Sequence, residues 1–417
     1  MVGRFMLTIV VLLASVPSLA VDWPQWRGPQ RTGLSEETGL LTEWPTEGPK
    51  LLWQAKEIDD GYSTPSIVGD RIYLLSNKGM DDEFVQALSA KDGQQLWAVR
   101  IGKVGPNQGP QYPGARSTPT VVGDVLYALG SDGDLACVEL NGGKIRWTKN
   151  LRTDFAGKPG KWAYSESPLV DGDSLVCTPG GDEATIVALD RKSADVIWST
   201  ALDEADEAAY ASAIVVDAVG VKQYVQLVQK GLVGLDAKTG EFLWRYEKVA
   251  EGSPANIPTP VADGSLVYTA SGRGGGGLVE LTRGAGGVEA VQQYAGPKLP
   301  TSIGGAIKVG DNLYGTNSSG MMCVDFATGE LKWQERGIGA GAVCYADGRI
   351  YLHGENGDVA LIEATGDAYR ERGQFSPPDM PERGRAKAWA YPVVANGRLY
   401  IRDLGTLWAY DVDGGQN

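Results

Sequence analysis

The chain has 417 residues, with 52 acidic and 38 basic side chains, a formal net charge of −14 and one histidine. An acidic chain without a block of Lys or Arg repels phosphate backbones, so nucleic-acid binding is not expected. The hydrophobic fraction of 42% is enough to build a core and excludes a globally disordered chain. With His353 as its one histidine, the chain is a poor candidate for a His-rich metal site or a Ser-His-Asp triad.

The first twenty residues have the pattern of a secretory signal. Arg4 precedes an apolar run from Phe5 to Ala14, and small residues stand at Ser18 and Ala20. This pattern predicts a signal peptide at residues 1–20, cut after Ala20, and a periplasmic or secreted protein. An N-terminal membrane anchor is the alternative, but the run is short for a bilayer span. No cysteine follows the run, so a lipoprotein anchor is not expected, and neither is a membrane span after cleavage.

A repeated unit fills the rest of the chain. It consists of a short β run, a turn rich in Gly and Asp, a second run often carrying tyrosine, and a third run. Gly, Asn and Asp tolerate the positive φ angles of tight hairpin turns, so each copy predicts a hairpin. The first turn recurs at residues 68–70, 122–124, 171–173, 217–220, 263–264, 309–311, 347–348 and 396–397.

Each unit closes on an aromatic residue after a second turn of the type Asp-Ala-Lys-Thr-Gly-Glu, as at residues 236–241 and 325–330. These aromatic residues return every 40–50 residues or so, the length of one four-stranded propeller blade. We expect each ring to dock between neighbouring blades, with its N–H on a backbone acceptor. The closing residues are Trp53, Trp97, Trp147, Trp198, Trp244, Tyr294, Trp333 and Phe375.

The two ends of the repeat region complement each other. The last unit, residues 389–411, has three strands and no closing tryptophan, whereas Lys50–Trp53 is an unpaired fourth strand. Pairing them closes the ring and removes open sheet edges. The sequence therefore predicts an all-β, eight-bladed propeller at residues 50–417. Seven blades is the alternative, because the turn Asp217–Gly220 of the fourth unit is irregular.

The repeats resemble those of the PQQ-like (quinoprotein) β-propeller family. The resemblance covers Lys50 to Asp411 and is strongest at Gly231–Trp244 (GLVGLDAKTGEFLW) and Gly320–Trp333 (GMMCVDFATGELKW). The preceding Asp22–Pro29 looks like the leader of many exported bacterial proteins with these repeats. As a fold signal the resemblance is strong, but the repeat builds both enzymes and non-enzymes.

Two functions follow from the resemblance. A PQQ-dependent alcohol dehydrogenase of this family holds its quinone between a tryptophan and two adjacent cysteines, with a calcium ion. This chain has no Cys-Cys pair, although Trp389 is placed to stack on a cofactor. The preferred hypothesis is a non-catalytic scaffold similar to the outer-membrane assembly factor BamB family, without cofactor and with exported or envelope proteins as partners. The enzyme, with PQQ and calcium, is the alternative.

Candidate site residues stand just before the first strand of several units, where a propeller converges on its central channel. Aromatic and charged residues recur at these positions although the fold does not require them. They suit the binding of a planar anion, a sugar or a peptide. The alternative is that they are scattered residues around a solvent-filled channel mouth and form no ligand site. A glycosidase is not favoured, since no second carboxylate accompanies the one glutamate. The candidates are Tyr62, Arg116, Trp162, Tyr164, Glu166, Tyr210, Trp389 and Tyr391.

Other features have simpler interpretations. The four cysteines fit small buried positions of the strands, although the exported location permits disulfides Cys137–Cys177 or Cys323–Cys344. The glycine-rich run Ser271–Gly277 suggests a phosphate cradle, but no helix follows it, which favours a hairpin tip. Residues 21–49 are rich in Trp and Pro. We expect them to cross the propeller surface before the Lys50–Trp53 strand, in a monomeric protein.

Overall fold

A computed structural model describes residues 21–56, 58–105, 114–202 and 206–415; the predicted signal peptide lies outside these ranges. The described residues form eight sheets with four antiparallel strands each, one of them extended by a short fifth strand. One core cluster joins residues of the eighth sheet to residues of the first, so the sheets close a ring. The predicted eight-bladed β-propeller is confirmed, and the seven-bladed alternative is wrong.

The chain begins with β1 (Leu34–Ser35) and β2 (Lys50–Lys56), which join the blades formed at the far end of the sequence. Blades 1 to 4 then follow in chain order, each from its innermost to its outermost strand. Their strands are β3 (Ser66–Val68), β4 (Arg71–Lys78), β5 (Asp82–Ser89), β6 (Gln95–Lys103); β7 (Thr120–Val122), β8 (Val125–Leu129), β9 (Asp134–Glu139), β10 (Ile145–Asn150); β11 (Leu169–Asp171), β12 (Ser174–Cys177), β13 (Ile186–Asp190), β14 (Val196–Thr200); β15 (Ile214–Ala218), β16 (Val221–Val228), β17 (Gly231–Asp236) and β18 (Phe242–Tyr246).

Blades 5 to 8 continue the pattern. A four-residue helix, α1 (Leu151–Asp154), follows β10, and a 3₁₀ turn (Lys248–Ala250) follows β18. The remaining strands are β19 (Val261–Asp263), β20 (Leu266–Ser271), β21 (Gly275–Gly284), β22 (Gly287–Gly296); β23 (Ala306–Val309), β24 (Asn312–Asn317), β25 (Gly320–Asp325), β26 (Leu331–Glu335); β27 (Gly341–Ala346), β28 (Arg349–Gly354), β29 (Val359–Glu363), β30 (Glu371–Phe375); β31 (Val393–Ala395), β32 (Arg398–Asp403) and β33 (Thr406–Asp411).

Ring closure occurs as the sequence predicts. Strand β2 pairs antiparallel with β33, with Lys50 opposite Asp411 and Lys56 opposite Thr406, and completes blade 8. The irregular turn of the fourth unit is an ordinary hairpin, because Val219 (φ 51°) and Gly220 (φ 74°) both adopt the left-handed conformation that suits a two-residue connection. The fourth unit is therefore a complete blade.

The closing aromatic residues link neighbouring blades. In six described blades the ring N–H or O–H donates to a backbone carbonyl of the next blade, as expected. Trp244 instead donates to Gln223 of its own blade, and Phe375 packs edge-on against Tyr410. The six bonds are Trp53 to Ala90 (3.0 Å), Trp97 to Leu140 (3.0 Å), Trp147 to Arg191 (3.2 Å), Trp198 to Ala237 (3.3 Å), Tyr294 to Phe326 (2.9 Å) and Trp333 to Thr365 (2.8 Å).

The second turn of the unit fits against these rings. The carboxylate of Asp236 accepts hydrogen bonds from the backbone N–H groups of Lys238 and Thr239, both at 2.9 Å. Gly240 follows with φ +75°, and a Cβ there would lie 2.5 Å from the ring of Trp198. The Asp shapes the turn and the Gly lets it approach the preceding blade, so the spacing of the two residues has a packing cause.

Residues 21–37, which we call the plug, occupy the central channel. Asp22 accepts a hydrogen bond from Gly69 N in the first turn of blade 1 (2.8 Å), and Trp23 pairs with Ile67 of the innermost strand β3. The chain turns back after Trp26, and β1 pairs in parallel with β27. Glu37 then accepts hydrogen bonds from Asn396 N and Gly397 N, again in a first turn. The plug therefore enters and leaves at the same end of the channel.

The plug satisfies the inner edges of seven described blades. The innermost strands would otherwise present unpaired N–H and C=O groups to the channel. Trp23 and Arg27 are each 2% exposed. The expectation that this segment crosses the propeller surface is wrong for residues 21–37, because the inner strand edges offer it hydrogen-bond partners. Its partners include Ile67, Val121, Ser167, Pro168, Thr259, Ala306, Tyr345 and Val394.

After the plug, residues 38–49 leave the channel and connect to β2. Leu41 N donates to Val412 O (2.8 Å). The ring of Trp44 packs against Phe375 of blade 7, with 5.3 Å between centroids. This short stretch does follow the propeller face, as the sequence suggests.

The remaining sequence expectations concern cysteines, glycines and membrane spans. All four cysteines are buried and free, so the structure contains neither Cys137–Cys177 nor Cys323–Cys344. The glycine-rich run is the tip of the hairpin between β20 and β21. Within the described ranges, no helix is long and apolar enough to cross a membrane.

Candidate functional site

A cavity of about 330 Å³ lies at the mouth of the channel, at the end opposite the first turns of the blades. Its residues come from the segments just before the innermost strands of seven blades and from the plug. This volume is at the lower end of the range for small-molecule sites. The described lining consists of Trp26, Tyr62, Thr64, Arg116, Trp162, Ser165, Tyr210, Ser212, Ala255, Ile257, Ile303, Trp389 and Tyr391.

The plug supplies the floor of the cavity. Trp26 meets Tyr391 edge to face, with 4.5 Å between ring centroids, and its Nε1 donates to Thr259 Oγ1 at 2.9 Å. The Tyr391 hydroxyl donates to Ile303 O at 3.0 Å. Burial raises the pKa of Tyr391 to about 12, so the phenol is a neutral donor at physiological pH. Both floor rings are thus fixed by hydrogen bonds to the blades.

Two further aromatic pairs form the walls. Tyr62 and Trp389 lie with centroids 5.1 Å apart, and Trp162 and Tyr210 with centroids 5.9 Å apart. The Tyr210 hydroxyl accepts a hydrogen bond from Trp162 N at 3.0 Å, and burial raises its pKa to about 12. Six aromatic rings therefore surround the cavity, which suits the faces of a flat ligand.

Arg116 is the one charged side chain among the described lining residues. Burial lowers its pKa, and the carboxylate of Glu83 is the main group that opposes this shift. Glu83 is fully buried and accepts hydrogen bonds from Ser131 N (2.7 Å) and Ser131 Oγ. Burial raises the pKa of Glu83 to about 7. The cavity therefore contains a guanidinium that is poorly hydrated and held near a partly protonated acid.

The polar atoms of the lining divide into two groups. Thr64 Oγ1 accepts from Tyr391 N and Ser212 Oγ accepts from Ser167 N, both at 2.9 Å. By contrast, Trp162 Nε1 and Ser165 Oγ are buried and have no hydrogen-bond partner among the described residues. A buried donor without a partner is costly, so a ligand acceptor that reaches either atom would be favoured.

Six of the eight candidate residues predicted from sequence line this cavity, and two lie elsewhere. Tyr164 is buried between blades 2 and 3 and donates to Pro179 O at 2.8 Å. Glu166 is 4% exposed and accepts hydrogen bonds from Thr178 N and from Gln226 Nε2 (3.0 Å). Burial raises the pKa of Glu166 to about 7. The six that line the cavity are Tyr62, Arg116, Trp162, Tyr210, Trp389 and Tyr391.

Sequence reasoning missed the contribution of the plug. Trp26 forms the cavity floor, whereas residues 21–49 were expected on the propeller surface. The cluster of tryptophans before the first repeat was the available signal, and it indicates burial without indicating where. His353, the one histidine of the chain, is not a lining residue; it lies in β28, with Nδ1 2.9 Å from Ala390 O.

A PQQ–calcium pair does not fit the described lining. Calcium prefers carboxylate, amide and carbonyl oxygens, but the described residues around the cavity include no Asp, Glu or Asn. Nor do the described parts of the chain contain a cluster of three or more His, Cys, Asp or Glu side chains that would hold a metal ion. The adjacent cysteines of the PQQ dehydrogenases are also missing from the sequence. We therefore derive no reaction through this cofactor.

Comparison with known proteins identifies the family. A family model described as outer membrane protein assembly factor BamB matches residues 30–159 and 81–335. The chain belongs to this family. Curated BamB proteins are similar over parts of the chain: that of Yersinia pestis is 25% identical over 245 residues, and that of Salmonella typhimurium is 29% identical over 124 residues. These matches cover 56% and 28% of the relatives' own length.

Solved structures show the same fold. BamB from Moraxella catarrhalis has a TM-score of 0.61 at 16% identity, covering 91% of this chain and 99% of that one. A quinohemoprotein alcohol dehydrogenase from Comamonas testosteroni has a TM-score of 0.52 at 13% identity, covering 95% and 81%. The BamB-type propeller is thus shared with an enzyme, and the fold alone does not separate the two functions.

Proposed function

We propose that this member of the BamB family is a non-catalytic scaffold that binds other proteins of the cell envelope during outer membrane protein assembly. The match of the family model to residues 30–335 carries the proposal. The similar curated proteins are named as outer membrane protein assembly factors. The predicted signal peptide supports a periplasmic location, where such a scaffold would meet its partners.

The outer strands offer the protein-binding surface. Exposed apolar side chains recur on the outermost strands of six described blades, each within three residues of the closing aromatic position. We call them the apolar rim. Each sits on a sheet edge, which an extended partner segment can join through backbone hydrogen bonds. The rim consists of Leu51, Leu96, Val196, Ile197, Phe242, Val291 and Leu331, which are 38–51% exposed.

The test of the scaffold uses the native host with the chromosomal gene deleted. We expect lower levels of folded outer-membrane proteins in the deletion strain and recovery with the wild-type gene. A Phe242→Glu/Leu331→Glu variant should fold but fail to restore them. Met80→Glu is the matched control, because Met80 is 45% exposed but lies in the turn after β4, away from the rim.

A photo-crosslinking amino acid at position 242 completes this test. We expect it to capture an outer-membrane assembly protein in the wild-type background, and position 80 to capture none. Unchanged outer-membrane protein levels in the deletion strain, together with the same crosslinks from both positions, would contradict the scaffold.

The location is tested separately. We expect the mature protein in the periplasmic fraction, with Val21 as its first residue by N-terminal sequencing. Retention of Met1 in the cytosolic fraction would contradict export.

A PQQ-dependent dehydrogenase is the alternative function, although the described lining of the aromatic cavity does not fit PQQ with calcium. Mature protein is titrated with PQQ and calcium while tryptophan fluorescence is followed, and an alcohol and an electron-accepting dye are then added. Saturable quenching with dye reduction, lost in Trp389→Ala, would replace the scaffold with an enzyme. We expect no dye reduction.

A further inference from the structure

The cavity at the channel mouth has the features of a built binding site. Its floor and walls are rings whose positions are set by hydrogen bonds to the blades, such as Trp26 to Thr259 and Tyr391 to Ile303. A site that is already ordered loses less conformational entropy when a ligand binds. The scaffold function does not require such a cavity, because partner proteins would meet the outer strands.

The hydrogen-bonding groups of this cavity favour a ligand that accepts. The hydroxyls of Thr64, Ser212 and Tyr210 already accept hydrogen bonds from backbone N–H groups of the protein. Trp162 Nε1 can only donate, and neither it nor Ser165 Oγ has a partner among the described residues. Arg116 adds a guanidinium, which also only donates. A carboxylate would match this set because it offers two acceptor oxygens and a negative charge.

The shape of the lining limits the rest of the ligand. Aromatic rings of the plug and of four blades surround the space, so the ligand body packs best as a flat apolar ring system. We propose that the cavity binds a small planar aromatic monocarboxylate, with the carboxylate toward Arg116 and Trp162 and the ring among the aromatic walls.

Other ligand classes fit the lining less well. A sugar presents hydroxyl groups that donate as well as accept, and the described lining has no carboxylate or amide to receive them. A polycarboxylate such as PQQ brings three negative charges to a cavity with one described cationic side chain. Extra buried charges without partners are strongly unfavourable.

The proposal is tested by isothermal titration calorimetry of the full mature protein with 2-naphthoate as the probe. We expect one binding site per chain and binding at least tenfold tighter than that of 2-naphthamide, the neutral compound of the same shape. Maltose and PQQ should bind more weakly than 2-naphthoate. Equal affinity for the acid and the amide, tighter binding of maltose or PQQ, or no binding of 2-naphthoate at millimolar concentration would overturn the proposal.

Variants locate the site. Arg116→Gln should abolish the preference for the acid over the amide, and Trp162→Phe should weaken 2-naphthoate binding about fivefold, since it removes one donor and keeps a ring. Arg273→Gln is the matched control, because Arg273 is exposed at the β20–β21 hairpin tip and outside the lining. Near-UV circular dichroism shows whether each variant is folded. A folded Trp162→Phe protein with unchanged affinity would overturn the assignment even if Arg116→Gln does not fold.

Discussion

At the scale of single residues, Gly329 is under two constraints. It has φ +72°, a conformation that L side chains rarely adopt, and a Cβ there would lie 2.8 Å from the Tyr294 ring of the preceding blade. Gly310 lies in the first turn of the same blade with φ +57°, but a Cβ there would meet nothing within 4 Å. The two glycines therefore separate the cost of the backbone conformation from the cost of the blade contact.

We predict that Gly329→Ala destabilises the protein more than Gly310→Ala does. The control substitution should cost about 1 kcal/mol for the left-handed conformation, and Gly329→Ala about 2–4 kcal/mol because the ring must also move. Urea denaturation of both variants measures the difference. Equal losses would mean that the contact between blades contributes little at this position.

His353 gives a second prediction at this scale. Burial lowers its pKa to about 4, although Nδ1 lies 2.9 Å from Ala390 O. We expect the NMR signal of the single imidazole to titrate near pH 4 in the folded protein. Between pH 6.5 and 4 the imidazole is protonated in the unfolded chain but not in the folded chain. His353 therefore lowers the free energy of unfolding as the pH falls. A titration midpoint near 6.5 would show an accessible ring and contradict the buried position.

Glu83 and Glu166 affect the pH dependence of stability in the opposite direction to His353. Burial raises the pKa of each to about 7. Between pH 4.5 and 7 the folded chain keeps protons that the unfolded chain has released, so their contribution to stability is lost as the pH rises. We predict that Glu166→Gln flattens this part of the stability profile. The measurement is the midpoint of urea unfolding at several pH values; a profile parallel to that of the wild-type protein would contradict the shifted pKa.

The sequence predicted six of the thirteen described cavity residues, but not which way each side chain points. Aligning the units brought Trp162, Tyr164 and Glu166 to the channel mouth together. The structure separates them, since Trp162 lines the cavity, whereas Tyr164 packs between blades 2 and 3 and Glu166 is bonded to blades 3 and 4. The backbone before an innermost strand is irregular, and the period-two rule that assigns side chains to faces applies only within strands.

At the scale of elements, the repeat strands were predictable and the plug was not. The strand pattern occurs eight times, so an irregular copy can be interpreted by comparison with the others. The closing strand Lys50–Trp53 was placed correctly on this basis. The plug occurs once and has no hydrophobic period. Its partners, such as Ile67, Val121 and Ala306, are distant in sequence, and no local pattern predicts such contacts.

The plug is expected to stabilise the ring. Trp23 is 2% exposed and lies in the core cluster that joins blades 7, 8 and 1. We predict that Trp23→Ala costs about 3–5 kcal/mol, as for other large buried residues, and that deletion of residues 21–48 lowers the melting temperature by more than the point substitution does. Differential scanning calorimetry provides both values. An unchanged melt in the deletion variant would contradict a structural role for the plug.

At the scale of the whole molecule, one strand from the start of the chain joins its two ends. Strand β2 covers the edge of β33 from Lys50 to Lys56. The repeat spacing and the incomplete last unit were sufficient to predict this closure. Packing of the closing ring of Trp53 against blade 1, through Ala90 O at 3.0 Å, follows from the same repeat.

We predict that loss of β2 changes the oligomeric state as well as the stability. A chain that begins at residue 57 exposes the edge of β33, and exposed edges promote association. A chain that begins at residue 49 lacks the plug but keeps β2, and serves as the control. Light scattering after size exclusion should show concentration-dependent oligomers only for the shorter chain. Monomers in both cases would contradict the role of β2 in protecting the edge.

The plug also determines the route by which a ligand can enter and leave the cavity. Because Trp26 lies at the floor of the described lining, a ligand would enter and leave through the open mouth. A partner that binds only the apolar rim would leave this mouth open, so it would change neither the affinity nor the residence time of a ligand in the cavity. Ligand binding in the cavity and partner binding on the outer strands would then be independent of each other.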